Sequence, residues 1–398
     1  MTAPTVDVLS SGRCPNPLPD GGGRGRSLSL WERVGVRARK SGALPLGAHA
    51  GRGAWSVAGL TVGAIAVLVV SAAAAIALGA VALPAGTVWQ VLLSRVPVLG
   101  DALGIVPTWT AAQEAVIMEI RLPRVMLAAI VGGSLAMAGA TYQGMFRNPL
   151  ADPYLIGVAS GAGLGAVAAF ALPLPVVLYS FGAVQWMAFA GALLTAVVVS
   201  LLARVGNTTP LTTLLLAGVA LGSFCTAITS FLMYLQQDKL HAMYFWLLGG
   251  LSLGSWQQVG TVLPYFLVSL AVVLVNARLL NVLQLDEEQA RQLGVDVERL
   301  KIVLVGAATL ATAAAVSVSG LIGFVGLIVP HAVRLLWGHD YRRLLPVSVL
   351  AGAVFFLWAD TAARTVLAPT EIPVGIITAL CGAPFFLHLL RRRKRLVF

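Results

Sequence analysis

Charged residues are scarce in this chain of 398 residues. Asp, Glu, Lys and Arg together make up 11% of it, whereas hydrophobic residues make up 58%. The mean hydropathy of +0.87 lies far above the range of soluble globular domains. This composition excludes a soluble enzyme or a soluble binding module and predicts an integral membrane protein.

Sequence patterns typical of metal, disulfide and nucleotide sites are also lacking. Cys14, Cys225 and Cys381 show no CxxC spacing, and the five histidines are scattered singly. A Walker A loop is missing, because the one lysine followed by Ser or Thr is Lys40, which Arg39 precedes. We therefore expect no disulfide, metal, cofactor or nucleotide site in this chain, and no catalytic residue.

The chain is rich instead in apolar runs of about 17 to 27 residues, most of them long enough to cross a bilayer as helices. Breaks that contain Pro, Gly or Asn separate the runs. The seventh and eighth runs are short. The small residues of GAGLGA at 161–166 lie within a run and suit close helix packing rather than dinucleotide binding. The ten predicted spans are residues 56–82, 122–145, 154–172, 180–203, 212–235, 257–280, 301–318, 321–337, 344–364 and 374–390.

The basic residues predict the orientation. With both termini in the cytoplasm, 22 of the 27 Lys and Arg lie on the inner side, as the positive-inside rule requires. The five basic residues left on the outer side are Arg95, Arg121, Arg124, Lys239 and Arg364.

Residues 1–55 are basic and glycine-rich, without the apolar run that a secretory signal needs. The composition predicts disorder. The segment is either a real cytoplasmic tail or the product of a misplaced start codon, and neither alternative gives it chemistry.

A polar segment on the predicted inner face, residues 283–301, has the signals of two short helices. Asp286 is placed to cap the first, Gly294 suits a left-handed stop, and Asp296 is placed to cap the second. Glu287 and Glu288 fall in the positive first turn of the first helix. The segment therefore predicts a helix–Gly–helix element that projects into the cytoplasm.

Five long segments, in order, resemble the FecCD family, the permease subunits of ABC importers for iron–siderophore complexes, haem and vitamin B12. The resemblance covers roughly residues 55 to 395. The segments are RLPRVMLAAIVGGSLAMAGATYQGMFRNPLADPYLIGVASGAG, LLLAGVALGSF, SGLIGFVGLIVPHAVRLLWGHD, LLPVSVLAGAVFFLWADTAAR and EIPVGIITALCGAPFFLHLL.

The resemblance implies an all-α membrane protein in which residues 56–395 form a ten-helix permease domain. Similar Ala/Gly-rich stretches in the second and seventh spans hint at a weak inverted repeat. The implied partners are a cytoplasmic ABC ATPase dimer, an extracytoplasmic substrate-binding protein and a second copy of this chain. The implied location is the bacterial inner membrane.

The resemblance also suggests three groups of site residues. Arg121, Arg124 and Arg364 would dock the binding protein, with Asp360 steadying Arg364 from one turn away; snorkelling toward lipid headgroups is the alternative. The polar element 283–301 would be the ATPase coupling loop. The coupling residues are Asp286, Glu287, Glu288, Ala290, Leu293, Gly294 and Val295, and the translocation path or gate residues are Leu211, Thr212, Thr213, Pro373 and Gly375.

An ion-coupled secondary transporter is a more distant alternative. Such proteins need ionisable groups near the middle of the bilayer, whereas most acids here fall in connections and Asp360 lies toward the outer end of its span. The sequence does not separate the substrates of the resembled family. We expect an iron–siderophore complex first, with haem or cobalamin as alternatives.

Overall fold

The computed structural model describes residues 57–79, 83–95, 106–172, 177–178, 181–251 and 254–394. The disorder predicted for residues 1–55 lies outside these residues. The described chain is mostly helical, with one antiparallel pair of short strands, β1 (Val177–Leu178) and β2 (Phe181–Gly182).

Fifteen α-helices follow one another in the part of the chain that the structure describes. Those up to residue 235 are α1 (Val57–Ala77), α2 (Ala85–Ser94), α3 (Ala111–Ala115), α4 (Leu122–Met145), α5 (Val158–Ala171), α6 (Ala183–Leu202) and α7 (Leu211–Leu235). The remaining helices are α8 (Leu240–Leu248), α9 (Trp256–Val275), α10 (Ala277–Val282), α11 (Glu287–Gln292), α12 (Val297–Ser319), α13 (Val325–Trp337), α14 (Tyr341–Thr365) and α15 (Val374–Lys394).

The ten predicted apolar runs all form helices. Seven described helical segments are long and apolar enough to cross a membrane, and α5, α13 and the apolar part of α15 are shorter. Two runs differ from expectation. The seventh is not short, because α12 continues unbroken for 23 residues from the Asp296 cap to Gly320, where φ is +66°. The sixth breaks at Asn276, whose Nδ2 donates to Val272 O at 2.8 Å.

The start of the second span also differs from the sequence prediction. The predicted span begins at residue 122, and α4 does begin there, with Pro123 in its first turn; the difference lies in the chain before it. A π-helix, Val116–Arg121, precedes α4 directly, so Pro123 follows chain that is already helical. A wider π turn before a proline accommodates the missing N–H and the ring, and such turns are common at functional sites.

The core is built around α4, which is almost entirely buried and packs against α12, α13 and α14. In contrast, fewer than a third of the residues in the spans formed by α1, α6, α7 and α9 are buried, and each of these helices exposes large apolar side chains. Apolar surface of this kind suits lipid or a second chain rather than water.

The GAGLGA segment packs helices together, as the sequence predicts. A Cβ atom on Gly161 would overlap Thr195 and the backbone of Gly191, and one on Gly165 would overlap Met187 O. These glycines therefore let α5 and α6 approach closely. The result is a tightly packed layer beside the central helix.

Candidate docking, translocation and coupling sites

The three arginines expected to dock a binding protein lie together at one end of the structure. Arg121 ends the π-helix, Arg124 is in the first turn of α4, and Arg364 is in the last turn of α14. All three are largely buried, with exposed fractions of 7% for Arg121 and 8% each for Arg124 and Arg364. They are therefore held by the protein itself and do not extend freely into solvent.

Arg124 bridges two carboxylates with its guanidinium fork. Its Nη2 donates to Asp360 Oδ1 at 2.9 Å, and its Nη1 donates to Glu371 Oε1 at 2.8 Å. Asp360 is buried, whereas 41% of the Glu371 side chain is exposed. Planar arginine suits this arrangement because its donors are fixed in directions that match two carboxylates.

Arg121 and Arg364 both reach the last turn of α1. Arg121 Nη1 donates to Ile76 O at 2.6 Å, and Arg364 Nη2 donates to Ala75 O at 3.3 Å. Positive groups are favourable there because the final carbonyls of a helix lack partners in the helix. Arg364 Nε also lies 3.1 Å from Asp360 Oδ2, which confirms the pairing expected from their four-residue spacing.

The remaining two basic residues of the predicted outer side also have partners within the chain. Arg95 pairs with Glu114, and Lys239 Nζ donates to Phe170 O at 2.6 Å. The five basic residues on the predicted outer side can therefore be explained by partners within the protein, without side chains that extend toward lipid headgroups. The docking role of the three clustered arginines stays a prediction.

Sequence reasoning missed Glu371 as a partner of Arg124. The two residues are separated by 247 positions, so no local spacing links them. The available signal was an acid placed just before the tenth span, on the same predicted side as the three arginines.

The Arg124–Glu371 pair lies between two cavities. A cleft of about 370 Å³ is bordered by Arg121, Arg364 and Pro369, and a second cavity of about 310 Å³ is bordered by Trp246, Gln258 and Pro373. Arg124 and Glu371 line both. This ion pair therefore lies on the border that the two cavities share.

The predicted path residues divide between the two ends of the structure. Pro373 lines the second cavity, and Gly375 packs so closely on Leu248 O that a Cβ atom would not fit. At the other end, Thr212 is exposed at the start of α7. Leu211 and Thr213, its neighbours, are partly exposed. The structure does not bring the two groups together within one chain.

The coupling element has the caps that the sequence predicts. The Asp286 side chain accepts from Glu287 N, and the Asp296 side chain accepts from Arg299 N. Gly294 has a φ of +81°. One feature is wrong: the second helix is not a separate short one but the first turns of α12, because nothing after the Asp296 cap ends it.

The first helix, α11, ends in a Schellman motif. Gly294 N donates to Arg291 O at 2.9 Å, and Val295 N donates to Ala290 O at 3.1 Å. Ala290 is buried beneath the helix, whereas 65% of Leu293 is exposed. Glu287 is partly exposed and Glu288 is exposed. The element is therefore a stiff turn that presents the apolar side chains of Leu285 and Leu293, together with acidic groups, outward.

The element is tied to the FRNPLADP corner that follows α4. Arg147, at a positive φ of 50°, places Nη1 3.2 Å from Asp286 Oδ1, and Gln284 Nε2 donates to Gly144 O at 2.8 Å. In the same corner Asp152 caps the 3₁₀ turn Pro153–Ile156, which precedes α5. Burial raises the pKa of Asp152, although the hydrogen bond from Tyr154 N opposes this.

The coupling element and the arginine cluster lie at opposite ends of the central helix. Arg124 is at the start of α4, and Gly144, which contacts the element, is at its end. A helix of 24 residues is about 36 Å long, close to the thickness of a bilayer core. The two candidate sites therefore suit opposite faces of a membrane.

Comparison with known proteins identifies the class of this structure. The profile of the FecCD transport family matches residues 67–392. The chain belongs to this family. The cobalamin import system permease protein of Halobacterium salinarum is 53% identical over 281 residues, which cover 71% of this chain and 74% of that relative. The hemin transport system permease protein of Yersinia pestis is 44% identical, over 70% of this chain and 83% of the relative.

Two further similarities agree with the family. The Fe(3+) dicitrate transport system permease protein of Escherichia coli is 39% identical, over 75% of this chain and 91% of the relative. A solved inward-facing conformation of a metal-chelate type ABC transporter has a TM-score of 0.72 at 32% identity, and the match covers 84% of this chain and 99% of that one. The FecCD resemblance and the helical membrane fold expected from sequence are confirmed. The chain is a multi-pass ABC transporter permease.

Proposed function

We propose that this FecCD permease is the membrane subunit of an ATP-driven importer that carries a cobalamin-class metal chelate into the cytoplasm. The observation that carries the proposal is the 53% identity to a cobalamin permease, against 44% for the hemin permease and 39% for the ferric dicitrate permease. An iron–siderophore complex, which we expected first from the sequence, and haem are the alternatives within the same function.

The permease itself does no chemistry in this proposal. A separate ATPase dimer hydrolyses ATP at the cytoplasmic face, and its closure moves the coupling element, residues 283–301. An extracytoplasmic binding protein delivers the substrate at the arginine cluster. The protein spans a bacterial inner membrane with both termini in the cytoplasm. The excess of basic residues on the inner side supports this orientation.

The path is proposed to run between two copies of the chain, along α7 and α15. One face of α7 exposes hydroxyl side chains at Thr212, Ser223, Thr226 and Ser230. The Ser223 and Thr226 hydroxyls donate to carbonyls of their own helix, at Val219 and Gly222, both at 2.9 Å. Such a face is weakly polar and binds little, which suits passage of a large substrate that must also leave.

Docking at Arg124 requires a change at Glu371, because Glu371 already holds two of its donors. Glu371→Gln should therefore strengthen docking of the binding protein by about threefold to tenfold, since a neutral amide competes weakly with an incoming carboxylate. The measurement is the affinity of the cognate binding protein for the permease complex in lipid nanodiscs, at two salt concentrations.

The control for this prediction is Glu119→Gln, which removes one exposed acid from the segment that precedes the cluster. It reports the general change in charge without releasing Arg124. If Glu371→Gln leaves the affinity unchanged or lowers it, Arg124 does not receive a carboxylate from the binding protein.

The substrate is tested with the whole complex in lipid vesicles. The permease, its ATPase and the binding protein encoded nearby are reconstituted and supplied separately with radiolabelled cyanocobalamin, ferric citrate and hemin. We expect ATP-dependent uptake of cyanocobalamin. Uptake of ferric citrate or hemin alone would assign the alternative substrate, and uptake that needs a pH gradient but no ATP would overturn the importer proposal.

A further inference from the structure

One carboxylate joins the coupling element to the start of α7. Glu298, in the first turn of α12, accepts from Thr209 N through Oε2 at 3.0 Å. Its other oxygen, Oε1, lies 3.4 Å from Arg291 Nη2 and 3.4 Å from Lys301 Nζ. The side chain thus contacts α11, α12 and the turn before α7 at the same time.

Of the contacts on the coupling side, the one made by Lys301 is shielded from water, whereas the Arg291 side chain is 50% exposed. Only 7% of the Lys301 side chain is exposed, and its Nζ also lies 2.9 Å from Glu287 Oε1. Glu298 itself is 21% exposed. Ion pairs are stronger and less sensitive to salt when they are shielded in this way. A displacement of α11 is therefore passed to Glu298.

On the α7 side, direct hydrogen bonds hold the turn before α7 and the first turn of the helix together. Val205 and Thr208 exchange backbone hydrogen bonds of 2.9 and 3.2 Å, so the turn before α7 is stiff. The Thr213 hydroxyl then ties the first turn of α7 to this segment, at 2.9 Å from Ala203 O and 2.8 Å from Pro210 O. A displacement of Thr209 is therefore carried into residues 211–213.

We infer that Glu298 is a positioning residue that transfers movement of the coupling element to the first turn of α7. The inference rests on the proposed function, because it takes residues 283–301 as the coupling element and residues 211–213 as the inner gate. Glu298 contacts neither substrate nor nucleotide in this role. Within the part of the chain that the structure describes, its bond with Thr209 N is the side-chain hydrogen bond that joins residues 283–301 to the turn before α7.

The test uses the complete complex with its ATPase and binding protein in lipid vesicles. Glu298→Ala removes the contacts with Thr209, Arg291 and Lys301. It should lower the amount of substrate taken up per ATP hydrolysed by about tenfold, within the usual range of coupling between sites. Glu298→Gln keeps an acceptor for Thr209 N and should lose less. Asp238→Ala, which removes an exposed acid outside both elements, is the control and should not change the ratio.

A second readout follows the gate directly. Thr212→Cys, in a chain whose Cys14 and Cys381 are replaced by serine, is labelled with a thiol reagent with and without ATP. The ATP-dependent change in labelling rate should disappear in Glu298→Ala and persist in Glu298→Gln. A purely structural role would lower the folded amount of both variants and leave the change intact in whatever folds.

The outcomes separate the inference from the function. If Glu298→Ala retains both the normal uptake ratio and the labelling change, the inference is wrong while the importer function stands. If Glu298→Ala does not fold, Glu298→Gln decides: a ratio of uptake to ATP hydrolysis equal to that of the unsubstituted complex overturns the inference. If the unsubstituted complex shows no ATP-dependent uptake at all, the proposed function itself fails.

Discussion

Asp360→Asn should destabilise the permease more than any other single change in the arginine cluster. Asp360 is 1% exposed and compensates both Arg124 and Arg364, so its loss leaves two buried guanidinium groups with a single carboxylate. Removing one partner of a buried ion pair costs about 3 to 5 kcal/mol. The measurement is the thermal unfolding midpoint in detergent, together with the yield of folded protein.

Glu371→Gln is the matched control for this change. It removes the same charge from the same cluster, but Glu371 is 41% exposed, and among the described residues its ion-pair partner is Arg124. Water can replace much of what it provides, so we expect a cost of at most about 1 kcal/mol. Equal unfolding midpoints for the two variants would show that Asp360 is not the central counter-charge.

The contacts of Asp360 with Arg124 and Arg364 also limit which variants can test the docking prediction. Charge reversal at Arg124 or Arg364 would place a carboxylate beside the buried Asp360 and damage the fold as well as any docking. A loss of uptake in such variants would not separate the two causes. Neutralising Glu371 leaves every arginine in place and changes only what competes for Arg124.

Local signals in the sequence predicted much of the fold and of the coupling element. Each helix cap and the left-handed turn are formed where the sequence predicts them, by Asp286, Asp296 and Gly294. All three depend on residues only a few positions away. The end of α4, just before Asn148 and Pro149, and the start of α7, just after Pro210, also follow from breaks between the apolar runs. Capping and hydrophobic length are properties of neighbouring residues, so they can be identified without the fold.

Contacts between distant segments could not be predicted in the same way. The Arg124–Glu371 pair spans 247 positions and the Thr209–Glu298 hydrogen bond spans 89, so both depend on how the helices pack. The π-helix before Arg124 was missed because its sequence carries no breaker of its own. The length of α12 was missed because polar residues in its first turns resemble a separate short helix.

Gly294→Val should uncouple ATP hydrolysis from transport while leaving the spans folded. At a φ of +81° a β-branched side chain is strained, and the Schellman motif that ends α11 would be lost or rearranged. No atom lies within 4 Å of a Cβ placed on Gly294, so the strain comes from the backbone alone. We expect uptake to fall by about tenfold or more, because a misplaced coupling element loses its fit to the ATPase.

Two other glycines make this prediction specific. Gly306→Val, in the exposed middle of α12, also has no atom within 4 Å of its Cβ and has no positive φ, so it should be tolerated. Gly338→Val has the same open space with a φ of +91°, and it introduces the strain between α13 and α14 instead. Both should keep a normal ratio of uptake to ATP hydrolysis, measured in the same vesicles. Normal uptake in Gly294→Val would show that residues 283–301 have no special part in coupling. Equal losses in Gly294→Val and Gly338→Val would show the same, because strain at the turn of Gly294 would then act no differently from strain elsewhere.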